Sequence, residues 1–281
     1  MKKAISIFFA VLLGIIPTAN LAVSQQLNPF TGEQGDAKHF EPYVGQQGKD
    51  VIWVPTAEEL VEAMLDMAGV TPSDYVIDLG SGDGRIVIAA AKRGARAVGY
   101  EFNPDMVELS RTKAAEEGVS DRASFVKADI FTSDFSQATV ITMYLLPQLN
   151  LKLRPIILKL KPGTRIVSHA FDMGDWTADQ TVEQEYRKAF LWIVPAKAEG
   201  TWKWNAESGP AELHLTQTYQ HISGSLKAEG QIMEIQDGKI EGDQISFGTG
   251  DMKYAGRING RSIKGTVTKN GMEKSWAASL L

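Results

Sequence analysis

A glycine-rich stretch, DLGSGDG at 78–84, constrains the fold of this chain more than any other feature. It follows a short apolar segment at 75–79 that is typical of a buried strand, and a helical pattern at 85–93 begins directly after it. Glycines at such a joint let the backbone approach a ligand closely, and the first turn of the helix supplies unpaired N–H groups. The stretch therefore predicts a strand–turn–helix unit that binds a small molecule at the turn.

The same alternation of strands and helices continues along the chain. A first helix is predicted behind Thr56 and Glu59, which form a capping-box pattern. Further strands are predicted at 97–100, 124–127, 138–143 and 164–170, with helices between them. Strands that alternate with helices form right-handed crossovers, so we expect an α/β fold, a Rossmann-like parallel sheet with helices on both faces.

Residues 196–281 have a different pattern. Helical periodicity stops, and short β-rich segments recur about every ten residues. The turn dipeptides Asp237-Gly238, Asn259-Gly260 and Asn270-Gly271 separate these segments. The pattern predicts a small C-terminal antiparallel β module, either a sheet or a barrel, whose role is open between partner binding and a purely structural one.

The first 24 residues are typical of a signal peptide. Two lysines are followed by an apolar run at 4–16, which is too short to span a bilayer as a helix, and small residues follow at 22–24. We therefore expect a periplasmic or secreted protein, with an uncleaved membrane anchor as the alternative, and the absence of cysteine suits an oxidising compartment. Residues 25–55 form a lead-in segment, and 56–195 form the ligand-binding domain.

The residues after the glycines exclude one kind of nucleotide site and disfavour another. A phosphate-binding P-loop needs Gly-Lys-Ser/Thr at the helix start, whereas Arg85-Ile86 stands here. A dinucleotide fingerprint needs a third small residue where Arg85 lies, so a nicotinamide oxidoreductase is disfavoured. The net charge of −5 and the pI of about 5.5 also argue against a nucleic-acid partner.

Three acidic residues at the ends of successive predicted strands fit S-adenosylmethionine instead. Asp78 can take its ammonium group, Glu101 its ribose hydroxyls and Asp129 its adenine amino group, whereas a carboxylate beside a pyrophosphate would be repelled. Because ligands bind at the carboxyl edge of a parallel sheet, these side chains should share one cleft. The predicted donor site consists of Asp78, Gly80, Ser81, Gly82, Gly84, Glu101 and Asp129.

Residues 78–85 together with 99–101 resemble motifs I and II of the class I (seven-β-strand) methyltransferases. The segments at 48–56, 144–147 and 162–169 are similar to one subgroup of that family, which includes the mitochondrial, membrane-anchored lysine methyltransferases of the ATP synthase c-subunit and bacterial relatives. The resemblance covers about residues 40–200. It implies S-adenosylmethionine as methyl donor and a protein lysine or another amine as acceptor, and it leaves the β module outside.

The acceptor side is predicted from residues near the donor site. An amine must be neutral to attack, and an apolar mouth favours its neutral form. Trp53, Tyr144 and His169 are the candidate catalytic residues of that mouth, although packing is an equal interpretation for Trp53 and a structural core histidine is the more common one for His169. The run at 139–150 has neither the acids that hold Mg²⁺ nor the motif that holds an amino-purine.

We therefore expect no metal and no nucleic-acid partner, and a protein or small-molecule amine as acceptor. Membrane proximity would come from the N-terminal segment. The alternative is an exported envelope binding protein that keeps the methyltransferase-like fold without turnover.

Overall fold

A computed structural model describes residues 40–281 of the protein. The predicted signal peptide and residues 25–39 of the lead-in segment lie outside the described residues. Within 40–281, no helix combines the length and the apolar character needed to cross a bilayer.

The first of two sheets is built from the part of the chain with alternating strands and helices. Its strands are β1 (Tyr75–Leu79), β2 (Arg96–Glu101), β3 (Ala123–Lys127), β4 (Val140–Met143), β5 (Arg165–His169), β6 (Gln180–Gln184) and β7 (Arg187–Ile193). The helices are α1 (Glu58–Met67), α2 (Arg85–Lys92), α3 (Pro104–Glu116) and α4 (Pro147–Ile157). The strand order is β3-β2-β1-β4-β5-β7-β6.

The sheet is mixed rather than purely parallel, which corrects the sequence prediction in part. Strands β1 to β5 pair in parallel as expected, but β7 runs antiparallel to both β5 and β6. A tight turn at Glu185 and Tyr186, both with positive φ, joins β6 to β7. A strand returned by such a two-residue turn must pair antiparallel with the strand before it.

Helices cover both faces of this sheet. Successive side chains of each strand point to opposite faces, so each face offers apolar side chains to a helix. Val76, Val140 and Val167 point to the face that α1, α2 and α3 cover. Their neighbours Ile77 and Ile141 point to the other face, where α4 packs. The sheet is therefore buried on both sides, which leaves its edges for ligand binding.

The start of α1 differs from the capping-box prediction. The helix begins at Glu58 with Ala57 as its N-cap, and the cap residue makes no side-chain hydrogen bond. Thr56 is buried and its hydroxyl oxygen pairs with His169 instead. The capping box was wrong because a distant partner competes for the threonine hydroxyl.

The second sheet confirms the predicted antiparallel β module and closes on itself like a barrel. Its strands are β8 (Gly200–Ala206), β9 (Gly209–Thr218), β10 (His221–Ala228), β11 (Gln231–Glu234), β12 (Gln236–Glu241), β13 (Gln244–Thr249), β14 (Met252–Asn259), β15 (Ser262–Lys269) and β16 (Met272–Leu280). The order is β11-β10-β12-β13-β14-β15-β16-β8-β9, and closure comes from the added pairing of β9 with β10.

One of the three predicted turns of this module is a bulge instead. Asn259-Gly260 and Asn270-Gly271 lie where adjacent strands reverse, whereas Asp237-Gly238 lies inside β12 at a shift in register with β13. A side chain at Gly238 would collide with the carbonyl oxygen of Ile222. The glycine therefore serves a close approach between strands rather than a reversal.

The closed sheet has an apolar interior and meets the first sheet at its amino edge. Trp202 is fully buried, and the rings of Phe247 and Tyr254 stack with centroids 4.7 Å apart. The turn at Gly242 lies against the loop before β5, and its carbonyl accepts a hydrogen bond of 2.7 Å from the Ala196 N–H. The carboxyl ends of β1 to β5 lie at the opposite edge.

Candidate functional site

A cavity of about 580 Å³ opens at the carboxyl edge of the first sheet. Its lining residues lie between Gln46 and Phe171 and come from the lead-in segment, the glycine loop and the loops after β2, β3, β4 and β5. The chain reverses its direction of strand addition between β1 and β4, and ligands bind at such a switch point. The volume suits a metabolite-sized ligand.

The glycine loop forms the floor of the cavity. The N–H groups of Gly80 and Ser81 donate to the Tyr100 carbonyl at 2.8 and 3.1 Å, which ties the loop to β2. Gly82 has φ +52°, and a Cβ there would lie 2.7 Å from the indole nitrogen of Trp53. Glycine is therefore required where the lead-in tryptophan packs directly on the loop.

Asp78 is a buried carboxyl at the end of β1. Its Oδ1 accepts a hydrogen bond of 2.7 Å from the Thr142 hydroxyl. The pKa of Asp78 is raised to about 7, mainly by burial and to a smaller extent by the nearby carboxylates of Glu101 and Asp83, which together outweigh the lowering effect of that hydrogen bond. Within residues 40–281 no basic side chain pairs with Asp78, so a cation beside it would be stabilised.

Glu101, at the end of β2, is held by the backbone. Its Oε2 accepts from the Gly82 N–H and its Oε1 from the Asn103 N–H, both at 2.9 Å. The carboxylate is therefore fixed beside the glycine loop, with lone pairs left for a further donor.

Asp129 follows β3 and is paired with a residue that the sequence reasoning missed. Its Oδ1 accepts from the Phe131 N–H at 2.9 Å, and Lys49 Nζ lies 2.6 Å from its Oδ2. The hydrogen bond from Lys49 lowers the pKa of Asp129. Lys49 also lies over the Phe102 ring, 4.7 Å from its centroid. The lysine thereby holds the lead-in segment against the cavity at this end.

Tyr144 and Phe171 form an aromatic wall along one side of the cavity. The Tyr144 ring lies 3.8 Å from the His169 ring and 6.2 Å from the Phe171 ring, measured between centroids. His169 is only 3% exposed and lies behind Tyr144, away from the cavity surface. Burial lowers the pKa of His169 to about 4, with a smaller effect from Arg187, so its imidazole is neutral at physiological pH.

Phe171 was not predicted, and a buried polar network fixes it. Its carbonyl accepts from Ser168 Oγ at 2.7 Å and from Asn150 Nδ2 at 3.1 Å. Ala170, just before it, has a φ of 65°, which is rare for a residue with a side chain. These contacts join α4 to the end of β5, and no local sequence pattern indicates them.

Arg85 explains why the glycine stretch departs from a dinucleotide fingerprint. Its guanidinium donates to both oxygens of Asp83 at 2.9 and 2.8 Å and to the Thr56 carbonyl at 2.7 Å. Lys113 Nζ lies 2.7 Å from Asp83 Oδ2, so two cations neutralise this buried carboxylate. The arginine thus connects the glycine loop to the residue that precedes α1.

All three predicted acids and both predicted lining aromatics therefore meet at one cavity. Asp78, Glu101 and Asp129 line it, as do Trp53 and Tyr144. His169 supports this group from behind.

Comparisons with known proteins identify the same region. The family model for the ANTKMT methyltransferase domain matches residues 78–180. A protein-lysine N-methyltransferase of Saccharolobus islandicus (strain REY15A) is 45% identical over 138 residues, which is 48% of this chain and 86% of that protein. The Homo sapiens lysine N-methyltransferase of the ATP synthase c-subunit is 39% identical over 128 residues, and this chain covers 54% of its length.

A solved structure is also similar to this chain. The crystal structure of an RNA methyltransferase from Salinibacter ruber in complex with S-adenosyl-L-homocysteine has 50% sequence identity and a TM-score of 0.51. The match covers 52% of this chain and 96% of that one. Nothing in the comparisons favours a binding protein without turnover. The chain belongs to the family of protein-lysine N-methyltransferases, and it is a class I methyltransferase with S-adenosylmethionine as its methyl donor.

Proposed function

We propose that the acceptor is the ε-amino group of a lysine in a protein. This amine reaches the donor along the wall of Tyr144 and Phe171, which is therefore the acceptor wall. The observation that carries the proposal is the 45% identity to a protein-lysine N-methyltransferase of which this chain covers 86%. The chemistry of the wall supports it, because aromatic faces accommodate an alkyl chain that ends in an amine.

The donor roles are part of the same proposal. Asp78 takes the ammonium group of S-adenosylmethionine, since a buried carboxyl with a raised pKa gains most from a cation. Glu101 accepts from the ribose hydroxyls, and Asp129 accepts from the adenine amino group beside Lys49. Gly80, Ser81 and Gly82 line the cavity on the side proposed for the methionine part. The predicted Gly84 does not line it, because this glycine packs against Phe125 and Ser110 instead.

Methyl transfer is an in-line displacement, and the donor supplies an already activated carbon. The neutral amine forms a bond to the methyl carbon as the bond from that carbon to sulfur breaks, and the surplus proton leaves to water. The chain must align the amine and exclude water, so proximity supplies most of the catalysis. Trp53 and Tyr144 provide the apolar surroundings that favour a neutral amine. His169, neutral and behind the wall, is a support in this scheme rather than a base.

Labelled donor tests the acceptor class directly. The purified full chain is incubated with methyl-labelled S-adenosylmethionine and an envelope extract, and the product is split between protease and ribonuclease digestion. Because the Salinibacter relative is named an RNA methyltransferase, both treatments are needed. We expect protease-sensitive label that is recovered as methylated lysine after acid hydrolysis. Label that ribonuclease removes would refute the proposal, and the Glu101→Ala variant serves as the inactive control.

We propose separately that the leader at 1–24 exports the protein or anchors it. The methyltransferase domain at 56–195 and the β module at 196–281 then lie outside the cytoplasm. Such an enzyme needs its donor on the same side of the membrane. Cell fractionation with N-terminal sequencing tests this: we expect a mature chain that starts near residue 25 in the periplasm, or an intact chain in the membrane. Full-length protein in the cytoplasm would contradict both.

A further inference from the structure

Thr56 lies between the side of the cavity that the glycine loop forms and the side that the wall of Tyr144 and Phe171 forms. It is only 3% exposed, yet its hydroxyl does not cap the helix that follows it. Its backbone carbonyl accepts a hydrogen bond of 2.7 Å from Arg85, whose guanidinium is held by Asp83 of the glycine loop. The backbone of Thr56 is thus fixed relative to the donor side.

The side chain of Thr56 reaches the acceptor side. Its Oγ1 lies 3.0 Å from Nδ1 of His169, across 113 residues of sequence. The face of the His169 ring lies against Tyr144 with a centroid separation of 3.8 Å and an angle of 33° between the rings. A hydrogen bond to one ring nitrogen sets both the tautomer and the rotation of an imidazole. The rotation of His169 in turn limits where the Tyr144 ring can lie.

We propose that Thr56 is a positioning residue, which sets the His169 ring through its hydroxyl and thereby holds Tyr144 at the acceptor wall in register with the glycine loop. The expected effect on turnover rests on the proposed function, whereas the positioning of His169 by Thr56 does not depend on it. It assigns His169 an aromatic supporting role, in agreement with a ring that is buried and neutral. A displacement of the order of 1 Å at a reacting group can lower a rate by about a hundredfold, so a small rotation matters.

The test compares Thr56→Val, which keeps the shape and removes the hydroxyl, with Thr56→Ser, which restores it. The barrel offers a matched control, because Thr201 Oγ1 lies 3.2 Å from His214 Nδ1 in an exposed pair of the same kind. Ring-nitrogen NMR of the full chain reports the histidine tautomers, and the sequence has only four histidines, so a His169→Gln variant assigns the signal. Donor affinity and the rate of methyl transfer to poly-L-lysine are measured on the same samples.

We expect Thr56→Val to shift the His169 ring signals and to lower turnover by about tenfold. Donor affinity should stay within about twofold of the wild-type value, because the hydroxyl pairs with His169 and with none of Asp78, Glu101 and Asp129. Thr56→Ser should restore both, and Thr201→Val should change neither. Unchanged His169 signals in Thr56→Val, or equal turnover of the serine and valine variants, would overturn the proposal.

Two further measurements keep the result decisive. If Thr56→Val does not fold, as judged by thermal unfolding, Thr56→Ala removes the same hydroxyl and gives the same comparison. If the wild-type protein methylates no lysine at all, the proposed function fails, whereas the ring signals still decide whether Thr56 positions His169.

Discussion

Asp78 should make donor binding depend on pH in a defined direction. In the empty protein its pKa is about 7, because burial disfavours the charged form. The donor's ammonium group favours the carboxylate, so the pKa falls on binding and any protonated Asp78 must release its proton. Below pH 7, each pH unit then weakens binding by up to about tenfold, or about 1.4 kcal/mol. Above pH 7 this effect disappears.

The donor's own amino group limits affinity at higher pH. An α-amino group has an ordinary pKa of about 7.7–8.0, so the cation is lost above that range. Affinity should therefore be greatest between about pH 7 and 8, and about tenfold lower at pH 6. The Asp78→Asn variant should bind weakly and lose the acidic limb of this profile, since it has no proton to release.

The same carboxyl should affect the stability of the empty protein with the opposite sign. A raised pKa means that the folded state prefers the protonated form, so the contribution of Asp78 to stability is present below the unfolded pKa and is lost as pH rises through about 7. The difference from the ordinary aspartate pKa of about 3.9 corresponds to roughly 4 kcal/mol. At pH 8 the empty Asp78→Asn protein should therefore be more stable than the wild type. The Thr142 hydroxyl can still donate to the amide oxygen.

Calorimetric titration with S-adenosylhomocysteine, which keeps the amino group and does not react, measures both effects on binding. Titrations from pH 5.5 to 9 in two buffers of different ionisation heat count the protons released, and urea unfolding gives the stability of the empty protein. Equal affinity at pH 6 and 7.5 without proton release, or an Asp78→Asn protein that is less stable at pH 8, would refute the reasoning.

Three other changes test separate parts of the structure. Glu101→Ala should weaken donor binding by roughly a hundredfold in calorimetry, because the two charge-assisted hydrogen bonds from the ribose hydroxyls to its carboxylate are lost. Glu108→Ala, at an exposed position of α3, should leave donor binding unchanged. Tyr144→Phe keeps the ring stack and should slow label transfer while donor affinity stays the same; an equal loss of both would place Tyr144 in the donor site. Trp202→Ala should lower the free energy of unfolding by about 3–5 kcal/mol in urea, and the exposed Ile232→Ala by under about 0.5 kcal/mol.

Much of the candidate site could be predicted because its signals are local. The apolar run at 75–79 coincides with β1, and the acids at three strand ends fall at one edge for a geometric reason. Parallel strands bring their carboxyl ends together, so the position of Asp78, Glu101 and Asp129 follows once the strands are recognised. The strand–helix alternation does not indicate β6 and β7, because these strands form a hairpin whose antiparallel pairing is set by the turn between them.

The contacts that the sequence did not indicate join distant residues. Lys49 and Asp129 are 80 residues apart, and a lysine in a polar lead-in has no periodic pattern that names its partner. Thr56 shows the competition most clearly: its local pattern favours a helix cap, but a buried imidazole gains more from a hydroxyl in reach of its Nδ1. Local sequence gives the chemistry of a side chain, and tertiary packing decides which partner it meets.

The position of the closed β module limits what it can contribute to methyl transfer. It meets the first sheet near Gly163 and Ile193, at the amino end of β5, whereas the cavity lies beyond the other end. Five residues of strand separate the two edges, a length of about 17 Å. The cavity is lined by residues up to Phe171, so the module does not shape the donor site directly. One route from the module to the acceptor wall passes along β5 and β7, whose paired residues include His169 and Ala189. A second route is direct, because the Tyr219 ring of the module stacks on Trp176 in the loop after β5, the loop that also contains Phe171.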